Sequence, residues 1–180
     1  SMEKELSKRK SNRLINYDYS SAGAYFLTIC TKERRNHFWK NVGASIARPQ
    51  EVRLSEIGEI VDTAINNISK IYPAVLVEQY VIMPDHIHLL VSISTDEYGR
   101  PMVAPTMSRV VQQMKGYVTK RIGCSVWQKL FFDHVIRNKE DYDEHVKYIC
   151  ENSVRRYYEN SRKGVEYHVE YHKENFENHF

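Results

Sequence analysis

The segment VLVEQYVIMPDHIHLLVSI, residues 75–93, places two aliphatic, β-branched runs on either side of a Pro-Asp pair. Pro84 brings the fixed φ of a tight turn, and its missing N–H stops a strand, so residues 75–83 and 86–93 read as the arms of a β-hairpin. Side chains alternate across a strand. His86 and His88 therefore share one face, about 6.6–6.8 Å apart along the backbone, while Ile87, Leu89, Val91 and Ile93 share the other. Imidazole nitrogens ligate zinc, manganese and other borderline ions, and added oxygen donors extend the choice to magnesium. A His-x-His pair also arises by chance on a polar sheet face, and two histidines fall short of a full ligand set.

Upstream, AYFLTICT (24–31) is β-branched and aromatic and predicts a buried strand; residues 2–24 read as a basic, irregular arm and 52–54 as a short strand. Ser55 is a natural N-cap, and Ile57, Ile60, Val61, Ala64, Ile65 and Ile68 recur at helical spacing, predicting a helix over 56–71. Downstream, Gly99, Pro101 and Pro105 mark a loop, and Thr106 caps a second helix with Met107, Val110, Val111, Met114 and Val118 as its apolar stripe. VWQKLFFDHVIR (126–137) reads as a fourth strand, and Asn138 caps a third helix over 139–152. The order β-α-β-β-α-β-α predicts an α+β fold of the ferredoxin-like, split βαβ kind: an antiparallel sheet with helices on one face. Residues 1–152 make one domain with a basic N-terminal arm, and 153–180 form a tail of no assigned role.

The chain of 180 residues is 42% hydrophobic and 27% charged, enough apolar content for one core. No apolar run approaches the roughly 18 residues needed to span a bilayer, and the charged N-terminus predicts no secretory signal. Cys30, Cys124 and Cys150 are odd in number and form no CxxC pair, which excludes a disulfide framework and predicts a cytoplasmic setting. Net charge is only +3, but it is unevenly spread. Residues 1–40 hold nine Lys/Arg against four Asp/Glu, and residues 100–137 seven against one. Two basic blocks in a nearly neutral chain fit an electrostatic footprint for nucleic acid and equally fit a solvated surface.

On the third helix, Tyr142, Val146 and Ile149 form a buried stripe, and Tyr148 falls on a neighbouring one with Asp141, Glu144, His145 and Asn152. Asn152 stands one turn beyond Tyr148 on the same face, so one rigid element offers a phenol and a neutral oxygen ligand together.

YVIMPDHIHLLVSI (80–93), VWQKLFFDHVIRNKEDYDEHVKYICEN (126–152) and RLINYDYSSAGAYFLTICTKERR (13–35), taken in order, resemble the single-tyrosine HUH transposases, and among them the REP-associated tyrosine transposases. The likeness covers about residues 13–152. It implies an HUH endonuclease-type fold, with His86 and His88 as ligands of a divalent metal, Mg2+ or Mn2+, and Tyr148 as nucleophile. Asn152 matches a polar position able to complete the metal site, where related enzymes often carry Gln. The family's Asn-Pro after this helix is here Asn152-Ser153, a departure that lets the helix run on.

The implied activity is cleavage and strand transfer of single-stranded DNA, next to palindromic hairpins, through a 5′-phosphotyrosine. Lys115, Lys120, Arg121 and Lys129, with Arg9, Lys10 and Arg13 in the arm, are the candidate DNA-binding residues. Trp127 and Phe131 are candidates for base stacking or for the core. His134 is placed to support the site from behind or to brace its own strand. Tyr117 is a rival nucleophile without a ligand-type neighbour at Arg121. A non-catalytic ferredoxin-like nucleic-acid binder is the alternative, and both monomer and homodimer stay open.

Overall fold

The computed structural model describes residues 23–40, 54–95 and 104–160, with side chains through Glu151. Four strands, β1 (Gly23–Cys30), β2 (Val75–Ile82), β3 (His86–Ile93) and β4 (Phe132–Ile136), form one sheet in the order β2-β3-β1-β4, every neighbouring pair antiparallel. Helices α1 (Glu56–Asn66) and α2 (Ile68–Ile71) connect β1 to β2, α3 (Met107–Ile122) connects β3 to β4, and α4 (Lys139–Asn160) follows β4. Because β3 lies between β1 and β2, this is the split βαβ arrangement that the order of elements predicts.

Local chemistry sets the element ends. The Ser55 hydroxyl accepts the Gly58 N–H at 3.0 Å, and the Thr106 hydroxyl accepts that of Arg109, each satisfying a donor that a helix start leaves free. Gly58 has a second duty, since a Cβ there would overlap the Phe38 carbonyl oxygen, which accepts the Ser55 N–H at 2.8 Å. The single helix expected over 56–71 is broken at Asn67, a residue of low helix propensity at φ −85°, ψ −12°.

The sheet carries a core on each face. Ile87, Leu89, Val91 and Ile93 pack with Val61 and Ile65 of α1 and Val110, Val111, Met114 and Val118 of α3. On the opposite face, Phe26, Val81, Met83, Leu90 and Ile136 pack with Tyr142 and Ile149 of α4. The histidine face is therefore partly covered by the helix that carries Tyr148.

Two spans differ from expectation. Strand β4 holds only residues 132–136; Trp127, earlier in the expected strand, makes a lone bridge to Thr31 and is buried in the main core at 3% exposure, so it is closed to base stacking. Helix α4 continues to Asn160 instead of ending at 152. Ser153 keeps the backbone N–H that a proline would remove, so nothing there stops the ladder. No helix among the described residues is long and apolar enough to cross a membrane.

Candidate active site

Strand pairing assembles the site. In the β1–β3 register Thr28 faces His88 and Cys30 faces His86, so these four side chains rise together on the α4 side of the sheet. His86 Nδ1 lies 2.7 Å from Asp85 Oδ1, and His88 Nδ1 lies 2.9 Å from Thr28 Oγ1. Placing a proton on each Nδ1 satisfies both acceptors and turns the lone pair of each Nε2 to the same point, where the two atoms stand 3.1 Å apart. That is the separation of two nitrogens sharing one ion at about 2.0–2.1 Å each. Both rings are buried, and the carboxylate behind His86 repeats the outer-shell arrangement of metal-bound imidazoles. The pair fits a divalent cation.

Asp85 is buried and escapes strand alternation because it sits in the turn before β3. Its second oxygen holds Arg34 Nε at 2.9 Å. Arg34 ends a short 3-10 turn, Lys32–Arg34, in which Glu33 (φ 54°) and Arg34 (φ 55°) both adopt left-handed backbone. For non-glycine residues this costs about 1–3 kcal/mol each and persists only where the surroundings over-determine it. Here Thr31 N donates to Asp85 O (2.9 Å), Lys32 N to Val126 O (2.8 Å) and Gln128 N to Cys30 O (2.9 Å). The Thr31 hydroxyl, fully buried, reaches the carbonyls of Arg35 and Asp85.

Helix α4 brings Tyr148 over this pair. Its ring meets His88 edge-on, centroids 5.4 Å apart with 71° between planes, and also stands edge-on to Phe26 at 5.9 Å. Phe26 stacks on His88 at 5.1 Å and touches His145 at 4.6 Å, forming the floor under the tyrosine. Tyr148 is half exposed, whereas Ile149 beside it is fully buried and anchors the helix by about 1.5–3 kcal/mol. A cavity of about 400 Å³ is lined by Thr28, Cys30, Arg34, Met83, His86, His88, Phe132 and Tyr148.

The start of α4 is clamped to β4. Asn138 Oδ1 accepts the Asp141 N–H at 2.8 Å, the Asp141 carboxylate takes the Arg137 N–H (2.9 Å) and His134 Nε2 (2.9–3.0 Å), and His145 Nδ1 bonds the Asp141 backbone carbonyl at 2.7 Å with the carboxylate 3.2 Å away. Burial pushes the Asp141 carboxyl up, but the Arg137 N–H and the His134 imidazole outweigh it and hold it below the usual carboxylate range. His134, Asp141 and His145 bring ligand atoms within 4.8 Å of one another. However, the two imidazoles stack at 4.6 Å with 19° between planes, so their in-plane lone pairs lie in parallel sheets rather than converging. The cluster is built as a hydrogen-bonded clamp.

The remaining sequence candidates are spread out. Lys115, Lys120 and Lys129 line a second cavity of about 420 Å³, with buried Trp127 in its wall. Lys115 Nζ donates to Gln128 O at 2.9 Å and lies 6.0 Å from the half-buried Phe131 ring; burial lowers its pKa. Arg121 is exposed, 5.8 Å from the Tyr117 ring, and Tyr117 packs against the main core away from the histidines. Asn152 follows Tyr148 by one turn of α4, but its side chain, like all of Arg9, Lys10 and Arg13, lies outside the described residues. Sequence reasoning missed Thr28, Asp85, Arg34, Phe26 and Phe132. Only the position of Asp85, in the turn next to His86, gave a visible signal.

The chain matches the model of the family described as "Transposase IS200 like" over residues 19–152. It is 28% identical over 168 residues to an uncharacterized protein of Haemophilus influenzae, covering 83% of this chain and 90% of that one. It is 25% identical over 138 residues to the REP-associated tyrosine transposase of Escherichia coli, covering 76% of this chain and 70% of that one. A solved structure titled as a REP-associated tyrosine transposase bound to a REP hairpin superposes with a TM-score of 0.56 at 21% identity, covering 80% of this chain and 74% of the other, and so shares the fold. A family match across most of the chain, on a split βαβ sheet with paired histidines under a helical tyrosine, places the protein in the IS200-like transposase family.

Proposed function

We propose that this chain cleaves and rejoins single-stranded DNA beside a hairpin, with Tyr148 as nucleophile and His86 and His88 holding a divalent cation. The observation that carries the reading is Tyr148 standing 5.4 Å from His88 at the edge of a shared cavity, half exposed and on a rigid helix. A bound Mg2+ or Mn2+ would offset the negative charge of the phosphodiester and orient it. Asp85 and Thr28 fix the ring orientation of the two histidines, and Asn152, one helical turn beyond Tyr148, adds an oxygen ligand.

In the chemical step the Tyr148 phenolic oxygen forms a bond to phosphorus and the P–O3′ bond breaks. The phenolic proton is released and the leaving 3′-oxygen takes one up, giving a 5′-phosphotyrosine and a free 3′-OH. Attack by another 3′-OH reverses the balance and restores Tyr148, so no ATP is required. Tyr142 is a second phenol on the same helix, six residues before Tyr148. Burial raises its pKa strongly, aided by the nearby carboxylates of Glu78 and Asp143, and keeps it protonated. Lys115, Lys120, Arg121 and Lys129 supply phosphate contacts, extended by Arg9, Lys10 and Arg13. Hairpin DNA is the partner favoured by the likeness to the REP-hairpin complex.

The test is a covalent-trapping assay with labelled single-stranded hairpin DNA from the chain's own genomic flanks and Mn2+. A metal-dependent adduct on a denaturing gel, absent in Tyr148→Phe, is the expected result. Binding without any adduct on all flanks would instead support a non-catalytic nucleic-acid binder.

A further inference from the structure

Resting on the reading of this cavity as a DNA-cleaving site, we infer that Arg34 binds the scissile phosphodiester, its terminal guanidinium nitrogens taking a nonbridging phosphate oxygen. The direction of the side chain is set by its backbone, a left-handed turn at Glu33 and Arg34 tied to Asp85, Val126 and Cys30. Its plane is set by Asp85 Oδ2, which holds Nε at 2.9 Å. The terminal edge is less well served. Nη2 lies 3.4 Å from His86 Nδ1, but that nitrogen gives its proton to Asp85 at 2.7 Å and has no lone pair for a second donor. Nη1 donates to Cys30 Sγ at 2.7 Å, but a thiol sulfur is a weak acceptor.

The guanidinium thus has one strong bond on its inner side and an under-used edge in the cavity that His86, His88 and Tyr148 also line. The side chain is 44% exposed, so a ligand can reach it. A planar fork of donors matches a phosphate group, and a fixed charge near the phosphorus gains most when negative charge is concentrated on the equatorial oxygens. A solely structural arginine would bury this edge or give it a carboxylate, and among the described contacts Asp85 meets only Nε.

The experiment measures single-turnover cleavage of a hairpin oligonucleotide at saturating Mn2+, for wild type, Arg34→Ala and Arg34→Gln. Two substrates are compared, one with a normal scissile phosphodiester and one with a neutral methylphosphonate there. Arg34→Gln keeps a neutral donor for Asp85, and Mn2+ affinity is measured separately by calorimetry. The inference expects both variants to lose about 10²–10³-fold on the phosphodiester, with Mn2+ affinity within about threefold of wild type. It also expects the deficit to shrink to a few-fold on the methylphosphonate, where no charge remains to bind. Wild-type rates in Arg34→Gln overturn it. So does an equal deficit on both substrates, or one that tracks lost Mn2+ affinity, because either means that Arg34 acts through Asp85 and His86. If wild type forms no Tyr148 adduct with any flank, the reading of the cavity itself fails and the assignment falls with it.

Discussion

Asp85 Oδ1 sits 2.7 Å from His86 Nδ1, on the side of the imidazole away from the nitrogen that meets His88. The carboxylate holds the ring in the tautomer whose Nε2 can ligate and makes that nitrogen more basic. Asp85→Asn is expected to lower Mn2+ affinity about 10–100-fold while leaving the fold intact, read by calorimetry beside a thermal melt. Unchanged affinity would remove Asp85 from the site.

Tyr142 and Tyr148, six residues apart on α4, provide a paired test. Tyr142→Phe is expected to keep covalent adduct formation and to change stability by about 1 kcal/mol or less. Tyr148→Phe is expected to lose the adduct completely with an unchanged urea midpoint, since its ring is half exposed. An adduct surviving in Tyr148→Phe and vanishing in Tyr142→Phe would reverse the assignment.

The hairpin over 75–93 is legible from sequence because alternation and a Pro-Asp turn are local signals. The same alternation places His86 and His88 together. Their partners are not local: Thr28 and Cys30 arrive through the β1–β3 register, sixty and fifty-six positions away from the histidines they face. Arg34 is hidden for a different reason, because its aim depends on two left-handed residues that no composition rule anticipates. Residues 126–131 misread as strand because Trp127 and Phe131 are apolar for the sake of the core rather than for a ladder. The length of α4 turns on Ser153, where a missing proline signals permission to continue and nothing more.

The clamp at Asp141 gives the fold a defined acid response. The carboxyl pKa is lower in the folded chain than in the unfolded one, so folding releases protons there. The stabilisation is full above the ordinary aspartate pKa of about 3.9 and is lost as pH falls through the depressed folded value. Asp141→Asn is expected to lower the melting temperature at pH 6–7, and the gap from wild type should narrow steadily as pH falls below the ordinary aspartate range. A constant gap across that range would show that the carboxylate charge is not what the clamp uses.

Gly58→Ala tests the close approach of α1 to the chain leading from β1. A methyl group there meets the backbone carbonyl of Phe38, which cannot rotate away without releasing the Ser55 N–H. A loss of about 1–3 kcal/mol in urea-induced unfolding is expected, whereas Gly116→Ala, with open space around it, should be neutral or stabilising.

Helix α4 is pinned at its first turn by Asp141 and farther along by Ile149, and between these points it sets Tyr148 against the His88 of its own chain. Under the proposed function, one polypeptide thereby owns both the attacking oxygen and the ion-binding imidazoles. Mixing His86→Ala protein with Tyr148→Phe protein should therefore restore nothing, since neither can lend the other its surviving half. Every strand broken by such a protein would stay tethered to the same molecule that must reseal it.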